Sequence, residues 1–348
     1  MKIISDYNLS ELKDIVSGMG EKPFRASQIF SNVHQYKRFE EMTELSVALR
    51  EKLAAGYIDE PCKIIKELVS RDGTRKYLFS LFDGNVIEGV LMQYKYGNTL
   101  CVSTQVGCRM GCKFCASTLD GLIRNMSAGE MLSEILAVNR ALGGSVKDRK
   151  ITNVVLMGSG EPLDNYDNVI KFLRLLASPD GINISPRNVS LSTCGLVPKM
   201  YDLANEGLPV NLTVSLHSPF DEARMRIMPV AKTYKISEIL AACDNYFKIT
   251  GRRYYFEYSL IAGENDSDEC ADALYRLLKG KPCHLNLIRL NAVKERDLDA
   301  TSDVKANAFL KKLTDKGISA TLRRRMGTDI DGACGQLRRR YIDGKLSV

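Results

Sequence analysis

Apolar residues recur at helical spacing near the start of the chain, first at Leu9, Leu12, Ile15 and Val16 and again at Phe24, Ile29, Phe30 and Val33. Residues 1–62 are therefore expected to form a small helical accessory domain, which Lys22, Arg25, Lys37 and Arg38 make basic. Between Lys63 and Tyr94 the period changes to two. Asp72-Gly73 and Asp83-Gly84 are turn dipeptides, so residues 63–94 read as an antiparallel β extension. From Thr99 onward strand patterns at Leu100 to Thr104, Ile151 to Met157, Asn188 to Thr193, Val210 to Leu216, Tyr254 to Leu260, Leu285 to Leu290 and Ser319 to Leu322 alternate with helical ones. The helical patterns include Ala128 to Leu142, Val169 to Leu176, Ile236 to Tyr246 and Ala271 to Leu278. Repetition of strand and helix predicts an α/β fold, a partial or full (β/α) barrel over residues 95–325, followed by a C-terminal loop and tail over 326–348. No repeat, low-complexity tract or long linker interrupts it.

In such a barrel the chemistry belongs at the carboxyl ends of the strands. After the first strand comes Cys108-Arg109-Met110-Gly111-Cys112-Lys113-Phe114-Cys115, a C-x3-C-x2-C run. A [4Fe-4S] cubane takes four thiolates, so three leave one iron open to chelate a small molecule through an amine and a carboxylate. S-adenosylmethionine is the candidate. The alternative, a structural zinc site, closes its tetrahedron with a fourth Cys or His, and His34, His217 and His284 are each isolated. After the second strand, Met157-Gly158-Ser159-Gly160-Glu161-Pro162 offers close backbone approach at Gly160 and an anion at Glu161 for a ligand ammonium. Ser192 and Thr193 end the third strand and Ser215-Leu216-His217 the fourth, while Asn291 follows the sixth. These groups suit ribose and adenine edges.

Composition narrows the setting. The chain has 348 residues, 45% of them hydrophobic, enough for a large core, and no run is apolar enough to span a bilayer. Ten cysteines without a leader peptide at Met1 to Asp6 read as thiols and metal ligands in a reducing, cytoplasmic setting. Net charge is a modest +7, but Arg323-Arg324-Arg325 and Arg338-Arg339-Arg340 concentrate basic residues that suit phosphate. Two solvated element ends would look the same. Glu88 is a carboxylate inside the apolar strand Val86-Ile87-Glu88-Gly89-Val90, where alternation alone would let it face water. Cys101 reads by default as a core thiol. Cys334, between Gly332 and Gly335 and flanked by arginines, sits where a thiol pKa is lowered.

The cysteine trio, Gly-Ser-Gly-Glu-Pro, Ser-Leu-His and Asp329-Ile330-Asp331-Gly332-Ala333-Cys334-Gly335-Gln336-Leu337 together resemble the radical-SAM RNA methyltransferases that methylate adenine, over essentially the whole chain. The closest likeness is to the dual-specificity branch, which makes 2-methyladenosine in 23S ribosomal RNA and certain tRNAs. A related branch methylates C8 of the same ribosomal adenine and confers antibiotic resistance; Pro162 after Gly-Glu favours C2. The resemblance implies a methyl-accepting cysteine at Cys334, a resolving cysteine at Cys101 that forms a transient disulfide with it, and a proton acceptor at Glu88. It also implies two molecules of S-adenosylmethionine per turnover and a flavodoxin or ferredoxin as low-potential electron donor, and a monomer is expected. Ser159, where methionine is frequent, and the charged Lys294 to Asp303 loop depart from the family pattern and bear on whether tRNA is a substrate. A non-catalytic zinc protein that binds RNA through its basic loops is the alternative from another class.

Overall fold

The computed structural model describes residues 1–291, 295–330, 336–342 and 344. The helical unit opens with strand β1 (Lys2–Ile3), continues through α1 (Leu9–Gly18), α2 (Phe24–His34) and α3 (Val47–Gly56), and closes with β2 (Tyr57–Ile58), which pairs parallel to β1. α1 starts where Asn8 and Glu11 form a capping box, the Glu11 N–H donating to Asn8 Oδ1 at 2.9 Å and the Asn8 N–H to Glu11 Oε2 at 2.7 Å. Leu12, Val16, Ile29, Phe30, Leu49 and Leu53 face inward and join one hydrophobic core with the rest of the chain. His34 is buried and its Nδ1 accepts the Ile182 N–H at 3.1 Å, so this histidine serves packing.

The antiparallel extension is β3 (Cys62–Val69), β4 (Arg75–Leu81) and β5 (Val86–Tyr94). Its turns carry Gly73 and Gly84 at φ of +86° and +83°, the left-handed conformation that the Asp-Gly pairs foretell. β5 then pairs antiparallel with β6 (Gly97–Cys101), the first of seven mutually parallel strands. The others are β9 (Asn153–Leu156), β10 (Val189–Thr193), β11 (Asn211–Ser215), β12 (Tyr254–Leu260), β13 (Cys283–Arg289) and β14 (Ala320–Leu322). Between β6 and β9 a short hairpin, β7 (Gln105–Gly107) and β8 (Leu122–Asn125), brackets the cysteine loop.

Helices α4 (Ala128–Ala141), α5 (Tyr166–Leu176), α6 (Val197–Ala204), α7 (Asp221–Ile227), α8 (Ile236–Thr250), α9 (Asp268–Leu278) and α10 (Asp303–Asp315) follow strands in turn. The sheet order β14-β13-β12-β11-β10-β9-β6-β5-β4-β3 has two ends, so among the described residues the barrel is partial rather than closed. The segment after β14 crosses the open seam. Arg323 Nη1 lies 3.5 Å from Glu257 Oε2 on β12, the Gly327 N–H donates to Asp72 Oδ2 at 3.0 Å, and the Arg71 N–H donates to Asp329 Oδ2 at 3.2 Å. α11 (Gln336–Ile342) then seats Leu337 in a small core with Leu78 and Val86. Among the described residues no helix is long and apolar enough to cross a membrane.

Candidate active site

The inner faces of β5, β6 and β9 to β13 surround a cleft of about 630 Å³, and the Arg323 to Thr328 segment closes its open side. Cys101, Cys108, Cys112, Cys115, Gly160, Glu161, Ser192, Ser215, His217 and Asn291, ten of the residues singled out from the sequence, line this one space. Leu216 does not. Its side chain is buried in the core, and only its backbone serves the site. Cys334 lies outside the described residues.

The cysteine loop is shaped by its own backbone. Gly107 sits at φ +78°, where a Cβ would come within 2.0 Å of the Gly121 carbonyl oxygen, and the Cys108 N–H donates to that oxygen at 2.8 Å. Thr118 Oγ1 donates to the carbonyls of Cys112 and Cys115 at 3.1 and 2.9 Å, and the Lys113 N–H donates to Ile227 O at 2.9 Å, anchoring the loop to the end of α7. Burial pushes the thiols of Cys108 and Cys112 up, and the charge of the neighbouring thiolates, Cys115 above all, pushes the same way. The three thiols come from one loop and line the same cleft, with its remaining space open beside them. The donor set thus fits an iron-sulfur cluster bound through three thiolates, with Cys108, Cys112 and Cys115 as its ligands.

Beyond β9 the chain turns tightly against the end of β6. At Gly160, φ +109°, a Cβ would lie 2.7 Å from Gln105 Cβ, so no side chain fits there. The turn delivers Glu161 into the cleft, where Oε2 accepts the Cys194 N–H at 2.7 Å and Oε1 the Leu163 N–H at 3.1 Å. Burial pushes the Glu161 pKa up, and these N–H donors oppose it. The carboxylate therefore ties β9 to β10 besides facing the ligand space. Cys194, which has no evident role in the sequence, lies here at the cleft wall.

Ser192 and Ser215 project inward from neighbouring strands, Ser192 opposite Thr213 in the β10–β11 register. His217 stands at φ +54° and is buried, with the Phe114 ring 4.6 Å away edge-on. Its Nδ1 accepts the Ser259 N–H at 2.9 Å, which places the proton on Nε2. Burial, followed by the Arg224 charge, lowers its pKa to about 3, so the ring is a neutral donor at any physiological pH. Behind it Arg224, fully buried, donates through Nε to Leu216 O at 3.0 Å and through Nη2 to Cys194 O at 2.6 Å and Ser215 O at 3.0 Å. One guanidinium thus holds two strand ends together.

On the β5 side Glu88 is only 5% exposed, so it does not face water. Its Oε2 lies 3.4 Å from Lys76 Nζ and accepts the Arg338 N–H of α11 at 3.0 Å. Cys101 pairs with Val90 in the β5–β6 register and shares the inward face with it and with Glu88. Glu257 and Arg323 form an ion pair across the middle of the barrel, and Asn286 Nδ2 donates to Glu257 Oε1 at 3.1 Å. Burial opposes the charge on Arg323, but Glu257, Tyr94 and Cys101 outweigh it and keep the group a cation. Among the described residues Arg323 pairs with Glu257, and Arg338 and Arg339 pair with Asp120. From the sequence the two triplets suit phosphate or are solvated element ends. Arg224 and Glu257 are site residues missed from the sequence, and Arg323 is foreseen only as part of a basic triplet; a charged residue inside the apolar run of β12 is the one signal that marks Glu257.

A family model described as the radical SAM superfamily matches residues 102–274, and one described as the ribosomal RNA large subunit methyltransferase N-terminal domain matches residues 4–58. The chain is 53% identical over 348 residues to a "Probable dual-specificity RNA methyltransferase RlmN" of Clostridium perfringens (strain 13 / Type A), covering 99% of each. It is 49% identical over 344 residues to the protein so named in Clostridioides difficile (strain 630), covering 97% of this chain and 98% of that one. A crystal structure of a radical SAM methyltransferase from Sphaerobacter thermophilus matches with a TM-score of 0.92 at 42% identity, over 97% of this chain and 99% of that one.

Proposed function

The chain belongs to the RlmN family of radical SAM RNA methyltransferases, and from that premise we propose that it forms 2-methyladenosine in 23S ribosomal RNA and in tRNA. The observation that carries this reading is the meeting of the cysteine trio, Cys101 and the Gly160-Glu161 turn in one cleft. Adenine C2 lies between two ring nitrogens and is electron-poor, so it does not attack a sulfonium methyl as an amine does. A carbon radical adds to it readily.

When bound, the [4Fe-4S] cluster and S-adenosylmethionine supply an electron, a methyl group and a hydrogen-abstracting 5′-deoxyadenosyl radical. Cys108, Cys112 and Cys115 hold the cluster, while Gly160, Glu161, Ser192, Ser215, the Leu216 backbone, His217 and Asn291 receive the cofactor. Cys334 carries the methyl carbon to C2 and becomes joined to the RNA through it. Cys101 then attacks the Cys334 sulfur, forming a disulfide and breaking the sulfur–carbon bond. The freed carbon takes a proton from solvent, Glu88 takes the proton from C2, and the one surplus electron leaves with the disulfide for an external one-electron acceptor. A flavodoxin or ferredoxin is the class of donor that restores the system.

The test is an anaerobic reaction with methyl-deuterated S-adenosylmethionine and unmodified ribosomal RNA or tRNA, read by nucleoside mass spectrometry. The expected product is 2-methyladenosine that has lost one deuterium from its methyl. A fully deuterated methyl would exclude the radical route, and 8-methyladenosine would place the chain with the C8 branch. Replacement of Cys101 by Ala is expected to stall the enzyme as a covalent protein–RNA adduct, seen as a nuclease-sensitive shift on a denaturing gel. Normal turnover in that variant would make Cys101 a core thiol.

A further inference from the structure

Lys76 is fully buried on β4, and a lysine ammonium in that position costs several kcal/mol unless an anion compensates it. The anion is Glu88, with Nζ to Oε2 at 3.4 Å. The strand register puts this pair on the side of the sheet that carries Cys101, beside the cleft lining rather than in it. Lys76 is paired with Val90 across β4–β5, and Val90 with Cys101 across β5–β6, so Lys76, Val90 and Cys101 form one row across three strands. Paired residues of antiparallel strands project to the same side, and Glu88, two residues along β5, shares that side. The same Oε2 also accepts the Arg338 N–H of α11, four residues beyond Cys334.

We propose that Lys76 is the positioning residue for the proton acceptor of the reaction, holding the Glu88 carboxylate on the face of the sheet that carries Cys101. The proposal rests on Glu88 taking the C2 proton. The physical need is plain. A carboxylate buried this deeply needs hydrogen bonds and a compensating charge to hold one orientation. Lys76 supplies the compensating charge from the strand behind, where the ammonium occupies none of the cleft. The Arg338 N–H fixes the same oxygen and brings the start of α11 into register with the base.

The experiment compares Lys76→Gln, Lys76→Arg and Glu88→Gln in anaerobic single turnovers on RNA, following formation of the protein–RNA adduct and its release separately, with thermal melting as a control on folding. Lys76→Gln is one atom shorter and keeps a hydrogen-bond donor but loses the charge. It is expected to form the adduct at the wild-type rate and release it about tenfold or more slowly, within the range that a misplaced base costs. Lys76→Arg should recover most of the release rate, and Glu88→Gln should show the same defect more strongly. Release at the wild-type rate in Lys76→Gln, with Glu88→Gln defective, would overturn the role of Lys76 and leave Glu88 as the base. Equal slowing of formation and release would mark Lys76 as a packing counter-ion and overturn the proposal too. Normal release in Glu88→Gln would instead remove the premise.

Discussion

Cys112→Ala is expected to yield a folded protein that holds no iron-sulfur cluster and makes no methylated adenosine. Cys112 is buried in a small apolar cluster with Cys194, Ile227, Met228, Ile261 and Leu290, on a loop pinned to α7 through Lys113 and Ile227. The loop keeps its shape without the sulfur, because Thr118 bonds the carbonyl of residue 112 and the Gly107–Gly121 closure involves no side chain. Replacing a small buried thiol by Ala should cost about 1 kcal/mol, so the melting midpoint of the cluster-free protein should change little. Iron and acid-labile sulfide after anaerobic reconstitution, with the visible spectrum, are the measurements. A full complement of both in Cys112→Ala would exclude the trio as the ligand set. Tightly held zinc in the wild type, without iron or sulfide, would return the chain to the zinc-protein alternative.

The cysteine loop was legible because its information is local. Ligand spacing, a preceding strand and glycines at 107 and 111 all lie within about ten residues, and parallel β/α order puts strand ends on one side of the sheet. The hairpin turns were legible for the same reason, since Asp-Gly at 72–73 and 83–84 meets the demand for a left-handed residue. Element ends were less so. β6 was expected over Leu100 to Thr104 and is found over Gly97–Cys101, because the Thr104 and Gln105 N–H groups both turn to the carbonyl of Ser159, beyond β9, and build the site instead of continuing the ladder. α10 went unseen because its apolar positions Ala306, Phe309 and Leu313 are diluted among lysines.

What escaped most completely were charges whose partners are assembled by the fold. Arg338 reads as a surface cation beside two other arginines. In the folded chain its N–H serves Glu88, its Nε donates to Val86 O at 2.7 Å, and Asp120 pairs with its guanidinium. Glu257 reads as one polar residue in an apolar strand, and it meets Arg323 only because the segment after β14 folds back across the barrel seam. Residues 66 to 252 positions apart supply these partners, and no window of sequence contains both ends of such a contact.

Arg224→Met is expected to lower stability by roughly 3–5 kcal/mol, the cost of leaving the partners of a buried charged group uncompensated. The methionine fills much of the volume, so the loss is not a cavity effect. It arises because the carbonyls of Cys194, Ser215 and Leu216 remain buried when their donors are gone. These carbonyls belong to the ends of β10 and β11, the strands that present Ser192, Ser215 and His217 to the cleft. His217 occupies a left-handed conformation that costs about 1–3 kcal/mol and persists only where its surroundings hold it. Leu216 is clasped from both sides, its N–H donating to Glu257 O at 3.0 Å and its carbonyl accepting from Arg224. Removing one side should therefore weaken S-adenosylmethionine binding as well as lower the melting midpoint by roughly 10 °C. Lysine should rescue little, since a single ammonium does not reproduce a fork that reaches two strands. Calorimetric melting and equilibrium binding of S-adenosylmethionine, both on Arg224→Met and Arg224→Lys, separate the two effects. A midpoint within about 2 °C of the wild type, in a protein that binds the cofactor normally, would mean that the strand ends are held by their own ladder and that the guanidinium is incidental.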